Sequence, residues 1–237
     1  MSNLTYTISP QVFEKYPGYA RAVVLAFDVH NGHSPASLVQ KLRDAEASVR
    51  SQATIDNISE HPRIKSWREA YKAFGAKPSE FRSSVEAMAR RALRGDELPS
   101  INALVDIGNI VSLYNLVPVG GHSMDGLKQD IALRLATGEE NFIPFGSTET
   151  EHPLPGEVIF AEGNTVLTRR WTWRQANHTL TLLETRNIEI NIDRLPPVEL
   201  DEIHGIASQV MGLVQEFCGG RLRYEILDAR HPQIPLE

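Results

Sequence analysis

The sequence predicts an α+β fold, a mixed or antiparallel sheet flanked by helices, and three observations carry that expectation. After an early strand-like run at Tyr19 to Val29, apolar residues recur every three or four positions as far as about residue 113, which is helical spacing, and then every second position from about residue 130 to Asp193, which is strand spacing, before a last helical stretch. Helices and strands are therefore segregated along the chain, the mark of α+β and not of a doubly wound sheet. The 237 residues are 41% hydrophobic and 23% charged, enough apolar material for a real core, and the length suits one domain over residues 1–237.

Each element has a local reason. Tyr19 to Val29 is rich in β-branched and aromatic residues and ends at Asn31-Gly32, so it reads as a buried strand closed by a turn. Ser34-Pro35 has the form of an N-cap with proline in the first turn, and Leu38, Leu42, Ala45 and Val49 follow at helical spacing. A second helix is expected over Ser79 to Leu93, with Phe81, Val85, Met88, Ala89, Ala92 and Leu93 on one face and Gly95 as its stop. A third, Ser100 to Leu113, would present Asn102, Asp106 and Asn109 together, because spacings of four and three share a helix face. Strands are then expected at Ile131–Leu135, Glu157–Glu162, Thr165–Trp173, His178–Glu184 and Asn187–Asp193. A last helix, Glu199 to Phe217, stops at Gly219-Gly220, and Leu222, Tyr224 and Ile226 form a closing strand.

Charge narrows the function. Twenty-four Lys and Arg against thirty Asp and Glu give −6, which excludes a uniformly basic nucleic-acid coat. The deficit is uneven: His61 to Gly95 holds nine Lys and Arg against three Glu, a surplus of six. That stretch is either the solvated face of two helices or a local phosphate-facing patch, for which Lys72, Lys77, Arg82, Arg90 and Arg91 are the candidate RNA contacts. No run approaches the roughly 20 apolar residues of a membrane span, and the opening Met-Ser-Asn-Leu-Thr-Tyr-Thr lacks the order of a secretory leader. With a lone Cys218, these features predict a cytoplasmic protein without disulfides.

Familiar catalytic signatures are missing. There is no P-loop, dinucleotide fingerprint, zincin helix or nucleophile elbow, and the eight histidines show no metal-ligand spacing on one element. Neither a cofactor nor a metal is expected. Two clusters stand out. Pro118 to Asp125 pairs Gly120 and Gly121, where backbone can approach a ligand, with His122; a tight helix-to-strand turn would use the same residues. Arg169 to Gln175 packs three arginines and two tryptophans into seven residues. On a strand, Arg170, Thr172 and Arg174 would share one face and Trp171 and Trp173 the other, either as core opposite a basic surface or as a ring-stacking and anion-binding face.

The stretches SINALVDIGNIVSL, VPVGGHSMD, DIALRLATGEE, PGEVIFAE and ETRNIEI, in that order, resemble the B3/B4 domain of the phenylalanyl-tRNA synthetase beta subunit. The similarity runs from about Pro99 to Asp193. The preceding HPRIKSWREAYKAFGAKPSEFRSSVEAMARR looks like the version in free-standing B3/B4 proteins, which extends it to residues 61–193. In the synthetase this domain hydrolyses tyrosine mistakenly attached to the phenylalanine tRNA. The resemblance implies a pocket for an aminoacyl group at the acceptor end of a tRNA, with His122 and Asn109 on positions associated with editing and Asp125 on the loop aspartate. Gly120, Gly121, Trp173, Arg174, Gln175 and Asn191 would contact substrate. Two departures matter: the Trp171–Gln175 cluster replaces a glycine-rich segment, and Asn191 stands where the family has a glutamate, so an amide replaces a carboxylate acceptor. Two functions are consistent with these residues: a tRNA-associated editing module acting in trans, or a non-catalytic module of the same fold that binds an amino-acid-like ligand or a protein partner.

Overall fold

The computed structural model describes residues 4–237, so the first three residues of the opening stretch read above lie outside it. The fold is α+β, as expected. A six-stranded mixed sheet has the order β10-β1-β4-β5-β6-β7, with β1 at Thr5–Ile8, β4 at Ile131–Leu135, β5 at Val158–Glu162, β6 at Thr165–Arg169, β7 at Arg174–Gln175 and β10 at Gln233–Pro235. Only the β1–β4 pair is parallel. A four-stranded antiparallel sheet has the order β3-β8-β2-β9, with β2 at Ala20–Phe27, β3 at Val119–Ser123, β8 at Ile188–Arg194 and β9 at Arg221–Leu227.

Strand periodicity decides how the layers stack. Ala22, Val24 and Ala26 of β2 and Ile188, Ile190 and Ile192 of β8 pack on the helices α2 (Ala36–Gln52), α4 (Ser84–Leu93), α5 (Ala103–Asn115) and α6 (Leu200–Phe217) in one apolar core. Val23 and Leu25 point the other way, into a second core with Tyr6, Ile131, Leu133, Phe160, Leu167 and Trp171 of the six-stranded sheet. The four-stranded sheet is thus covered on both faces, which is why β2 is apolar at every position but Arg21. Two further helices, α1 (Pro10–Lys15) and α3 (Pro62–Ala73), flank the second core, to which Val12 and Trp67 belong.

Several expectations need correction. Gly120, Gly121 and His122 do not form a loop: they lie in the edge strand β3, with His122 opposite Glu189 of β8. The Thr165–Trp173 strand stops at Arg169, because Arg170 (φ 47°) and Trp171 (φ 64°) are left-handed and no strand continues through such residues. The two tryptophans therefore part company. Trp171 turns into the core against Tyr16, Tyr19 and Trp67, while Trp173 stays half-buried. His178–Glu184 is a succession of turns held by side chains and not a strand. Helix α4 starts at Ser84, since the Ser83 hydroxyl caps the Glu86 amide, and Phe81 precedes it. Ser34 caps no helix; its hydroxyl goes to Asp106. In α5, Asn102 is the cap and Asp106 is buried under Ser34, Ser100 and the Ile101 amide, so Asn109 alone of the three expected polar groups faces open space.

Candidate ligand-binding site

A cavity of about 210 Å³ opens at the β3 edge of the four-stranded sheet, where α5, β3 and β8 meet the β5–β6–β7 side of the other sheet. Since a cavity of roughly 150 Å³ holds a benzene ring, this one suits an amino-acid side chain. His122, Asn109, Gly120, Gly121, Trp173, Arg174, Gln175 and Asn191 all line it. The glycines keep it open: a Cβ on Gly120 would come within 3.2 Å of the Asn191 Oδ1, and one on Gly121 within 3.0 Å of the Ile188 Cδ1.

His122 is the centre of the wall. Its Nδ1 lies 2.6 Å from the Thr179 hydroxyl and 3.3 Å from the Gln175 amide nitrogen, and its Nε2 lies 3.1 Å from the Thr168 hydroxyl. Both ring nitrogens are thus engaged by threonine hydroxyls, Nδ1 by Thr179 and Nε2 by Thr168. Burial, followed by the charges of Arg21 and His178, pushes the imidazole down to about 3, so the ring is neutral at physiological pH. Gln175 also donates to the carbonyls of Gly121 and Thr179, which ties β7 to β3 across the cavity.

Behind the wall lies a buried polar cluster that sequence reading missed. Alternation places Glu189, Asn191 and Asp193 on the face of β8 opposite its isoleucines, aimed between the sheets. The Asp193 Oδ1 accepts from Arg21, Tyr19 and Trp171, and Arg21 donates in turn to the Tyr6 hydroxyl. Arg21 and Asp193 are each only 1% exposed, and the Asp193 Oδ2 has no hydrogen-bond partner among the described residues. Glu189 is fully buried; its Oε1 accepts from the Asn191 amide at 3.1 Å, which leaves the Asn191 carbonyl oxygen free at the cavity. Burial pushes the Glu189 carboxyl up to about 8 against the pull of Arg21, so it is protonated at neutral pH. The signal for this layer was present in the sequence, as an arginine inside the apolar run around β2 and three polar residues alternating with the β8 isoleucines.

The candidate RNA contacts lie outside the cavity. Lys72 and Lys77 sit at exposed positions 3.3 Å from Glu69 and Glu80, and Arg91 donates to the Glu97 carbonyl. Arg90 shares the buried Glu86 with Arg68, at 2.8 and 2.7 Å, and Arg82 lies 3.8 Å from the same carboxylate. Three guanidiniums around one carboxylate leave two positive charges uncompensated. Asp125 is occupied by the Arg186 and Asn187 amides and does not line the cavity. No helix among the described residues is long and apolar enough to cross a membrane.

The sequence matches the model of the B3/4 domain over residues 66–211. No curated protein matches it. Among solved structures, an N-terminal fragment of the phenylalanyl-tRNA synthetase beta-subunit from Pyrococcus horikoshii is similar at 14% identity and a TM-score of 0.47, with 94% of this chain and 51% of that chain covered. The present chain thus spans about half the length of that fragment. Because the family match takes in more than half of the sequence and every cavity-lining residue except Arg21, the protein belongs to the B3/4 domain family.

Proposed function

We propose that this protein is a tRNA-associated module that takes the aminoacyl group of a charged tRNA into the cavity between its sheets and hydrolyses mischarged aminoacyl-tRNA in trans. The observation that carries the reading is an amino-acid-sized cavity whose hydrogen-bonding groups are mostly uncharged: the neutral His122, the carboxamides of Asn109, Gln175 and Asn191, and the Thr168 hydroxyl. Such a lining can hold an ester without neutralising it. In the reaction the oxygen of water bonds to the acyl carbon, the bond from that carbon to the ribose oxygen breaks, and the ribose oxygen leaves with a proton. The Asn109 amide is suited to donate to the carbonyl oxygen as negative charge develops there. With both ring nitrogens engaged, His122 serves best as the group that orients Thr168 toward substrate and water, and not as a base.

A panel of mischarged tRNAs, with release of the amino acid followed over time, tests this. At least one should be hydrolysed, with Asn109→Ala slowing release about 100-fold, as loss of an oxyanion donor does. No release, together with no salt-sensitive binding of uncharged tRNA, would sink the proposal. A second reading, a non-catalytic module for a free amino-acid-like ligand, is favoured by one observation: Lys72, Lys77 and Arg90 already have glutamate partners. For that reading, affinity should barely change with salt, whereas phosphate contacts make it fall steeply.

A further inference from the structure

Hydrogen bonding along β3 leaves one stretch of its edge open, and that stretch is a wall of the cavity. In an antiparallel pair, every second residue exchanges both backbone bonds with the partner strand, and the residues between turn theirs the other way. The register sets Gly120 opposite Asn191 and His122 opposite Glu189, and bonds at the two ends, from the Asp193 amide to the Pro118 carbonyl and from the Met124 amide to the Asn187 carbonyl, show that the even-numbered positions face β8. Val119, Gly121 and Ser123 therefore aim their amides and carbonyls away from β8, along the free side of the sheet. Part of that side is closed. The Ser123 amide donates to the Thr179 carbonyl, and the Gly121 carbonyl accepts from the Gln175 amide. The Val119 carbonyl and the Gly121 amide have no partner among the described residues, and both residues line the cavity.

An acceptor and a donor at this spacing fit one residue of extended chain. In a parallel pair, a single residue gives its N–H to the carbonyl just before the residue opposite and takes the N–H just after it. For a residue lying opposite Gly120, those two groups are the Val119 carbonyl and the Gly121 amide. One α-amino acid satisfies both, with its amino group as donor and its carboxyl-derived carbonyl as acceptor. Residues side by side in a ladder send their side chains to the same face, so the side chain of that amino acid goes where a Gly120 Cβ would point, toward the Asn191 carboxamide and the space between the sheets. Gly120 has no side chain to compete for the space. A D-amino acid holding the same two bonds turns its side chain to the opposite face, where the Val119 Cγ1 stands 3.7 Å from the Cβ position of Gly108 in α5.

We propose that the Val119 carbonyl and the Gly121 amide form a main-chain subsite that holds an L-aminoacyl group parallel to β3, with its amino group on the Val119 carbonyl and its acyl oxygen on the Gly121 amide. This rests on the reading of the cavity as an aminoacyl pocket and divides the work within it. The strand edge reads the part common to all amino acids and fixes handedness, while the cavity reads the side chain. The acyl oxygen has two lone pairs, so the Gly121 amide joins the Asn109 carboxamide there without displacing it.

The probes are adenosine 3′-amides of the L-amino acids, of their D enantiomers and of the matching desamino acids, titrated by calorimetry and by amide proton–nitrogen NMR of the labelled protein. The tightest L-amide should shift the Gly121 amide signal downfield as that donor finds its acceptor. Its D enantiomer should bind at least about tenfold more weakly, because the side chain leaves the cavity. The desamino compound should also lose at least about tenfold, the value of a hydrogen bond from a charged amino group. Gly121→Pro removes the donor at an outward-facing position where an edge strand tolerates proline, while Gly121→Ala adds the same Cβ beside Ile188 and keeps the donor. The proline variant should bind the L-amide roughly fivefold more weakly than the alanine variant. If the proline variant does not fold, the ligand series and the Gly121 signal decide the matter. Equal affinity for L and D probes, equal affinity for amino and desamino probes, an unmoved Gly121 signal at saturation, or no binding by any L-amide would each overturn the proposal. The two readings fail separately. L-selective binding with the Gly121 shift but without hydrolysis of any mischarged tRNA keeps the subsite and discards editing, and hydrolysis accompanied by equal L and D binding does the reverse.

Discussion

The two faces of the four-stranded sheet are built from the same strands and have opposite chemistry. Toward the helices, β2 and β8 present only Ala, Val and Ile, and the core there is continuous hydrocarbon. Toward the other sheet the same strands present Arg21, Glu189, Asn191 and Asp193, all buried. A protein concerned only with stability has little reason for the second arrangement, because buried ionic groups roughly break even against hydrocarbon of the same shape and cost a great deal when half satisfied. Here the Asp193 Oδ2 and the Glu189 Oε2 are half of such a bargain left open, beside a cavity. One face is continuous hydrocarbon; the other carries a buried polar cluster beside the cavity.

The polar face is most vulnerable at Arg21. Arg21→Met leaves Asp193 charged and buried against Tyr19 and Trp171, and should cost about 3–5 kcal/mol in denaturant unfolding. A loss below about 1 kcal/mol would mean that water or another cation already compensates Asp193. Glu189 gives a smaller and pH-dependent effect. Its carboxyl is raised from 4.5 to about 8 in the folded protein, so its contribution to stability is complete below pH 4.5 and is lost as pH rises through 8. The opposite holds for His122, depressed from 6.5 to about 3, whose contribution is lost as pH falls between those values. From pH 6.5 to 8 Glu189 therefore acts without opposition from His122. The stability of Glu189→Gln relative to the parent should climb across that window by up to about 1.4 kcal/mol per pH unit, then level off. A difference that stays flat from pH 5 to 9 would mean the carboxyl is not buried as described. On the helix side, Ile192→Val should cost only about 0.5–1.5 kcal/mol at any pH and leave ligand binding untouched.

Much of this was legible in the sequence, and the failures share a cause. Spacing found β2, α2, α5, α6 and the β8 isoleucines because those elements obey a period over many residues. It failed at Arg170 and Trp171, where two left-handed residues interrupt an otherwise regular strand pattern, and at His178–Glu184, where buried threonines imitate alternation while serving as hydrogen-bond partners. The residues named for the cavity wall were brought together by motif resemblance, not by period. Arg21 and Asp193 went unremarked because 172 positions separate them, and no local pattern announces a pair that only the pairing of β2 with β8 creates. The short β1, α1 and β10 carry too few residues for any period to show.

The central claim is that an aminoacyl group enters the space between the sheets, and calorimetry with a non-hydrolysable analogue tests it most directly. Adenosine carrying an amino acid through a 3′ amide, varied over the amino acids, would be titrated into the parent protein and into Gly120→Val, whose added side chain collides with Asn191 in the cavity wall while β3 remains extended. At least one analogue should bind, with a loss of at least tenfold in the variant and its melting temperature little changed. Equal affinity for parent and variant would place the ligand somewhere other than this cavity and contradict the account.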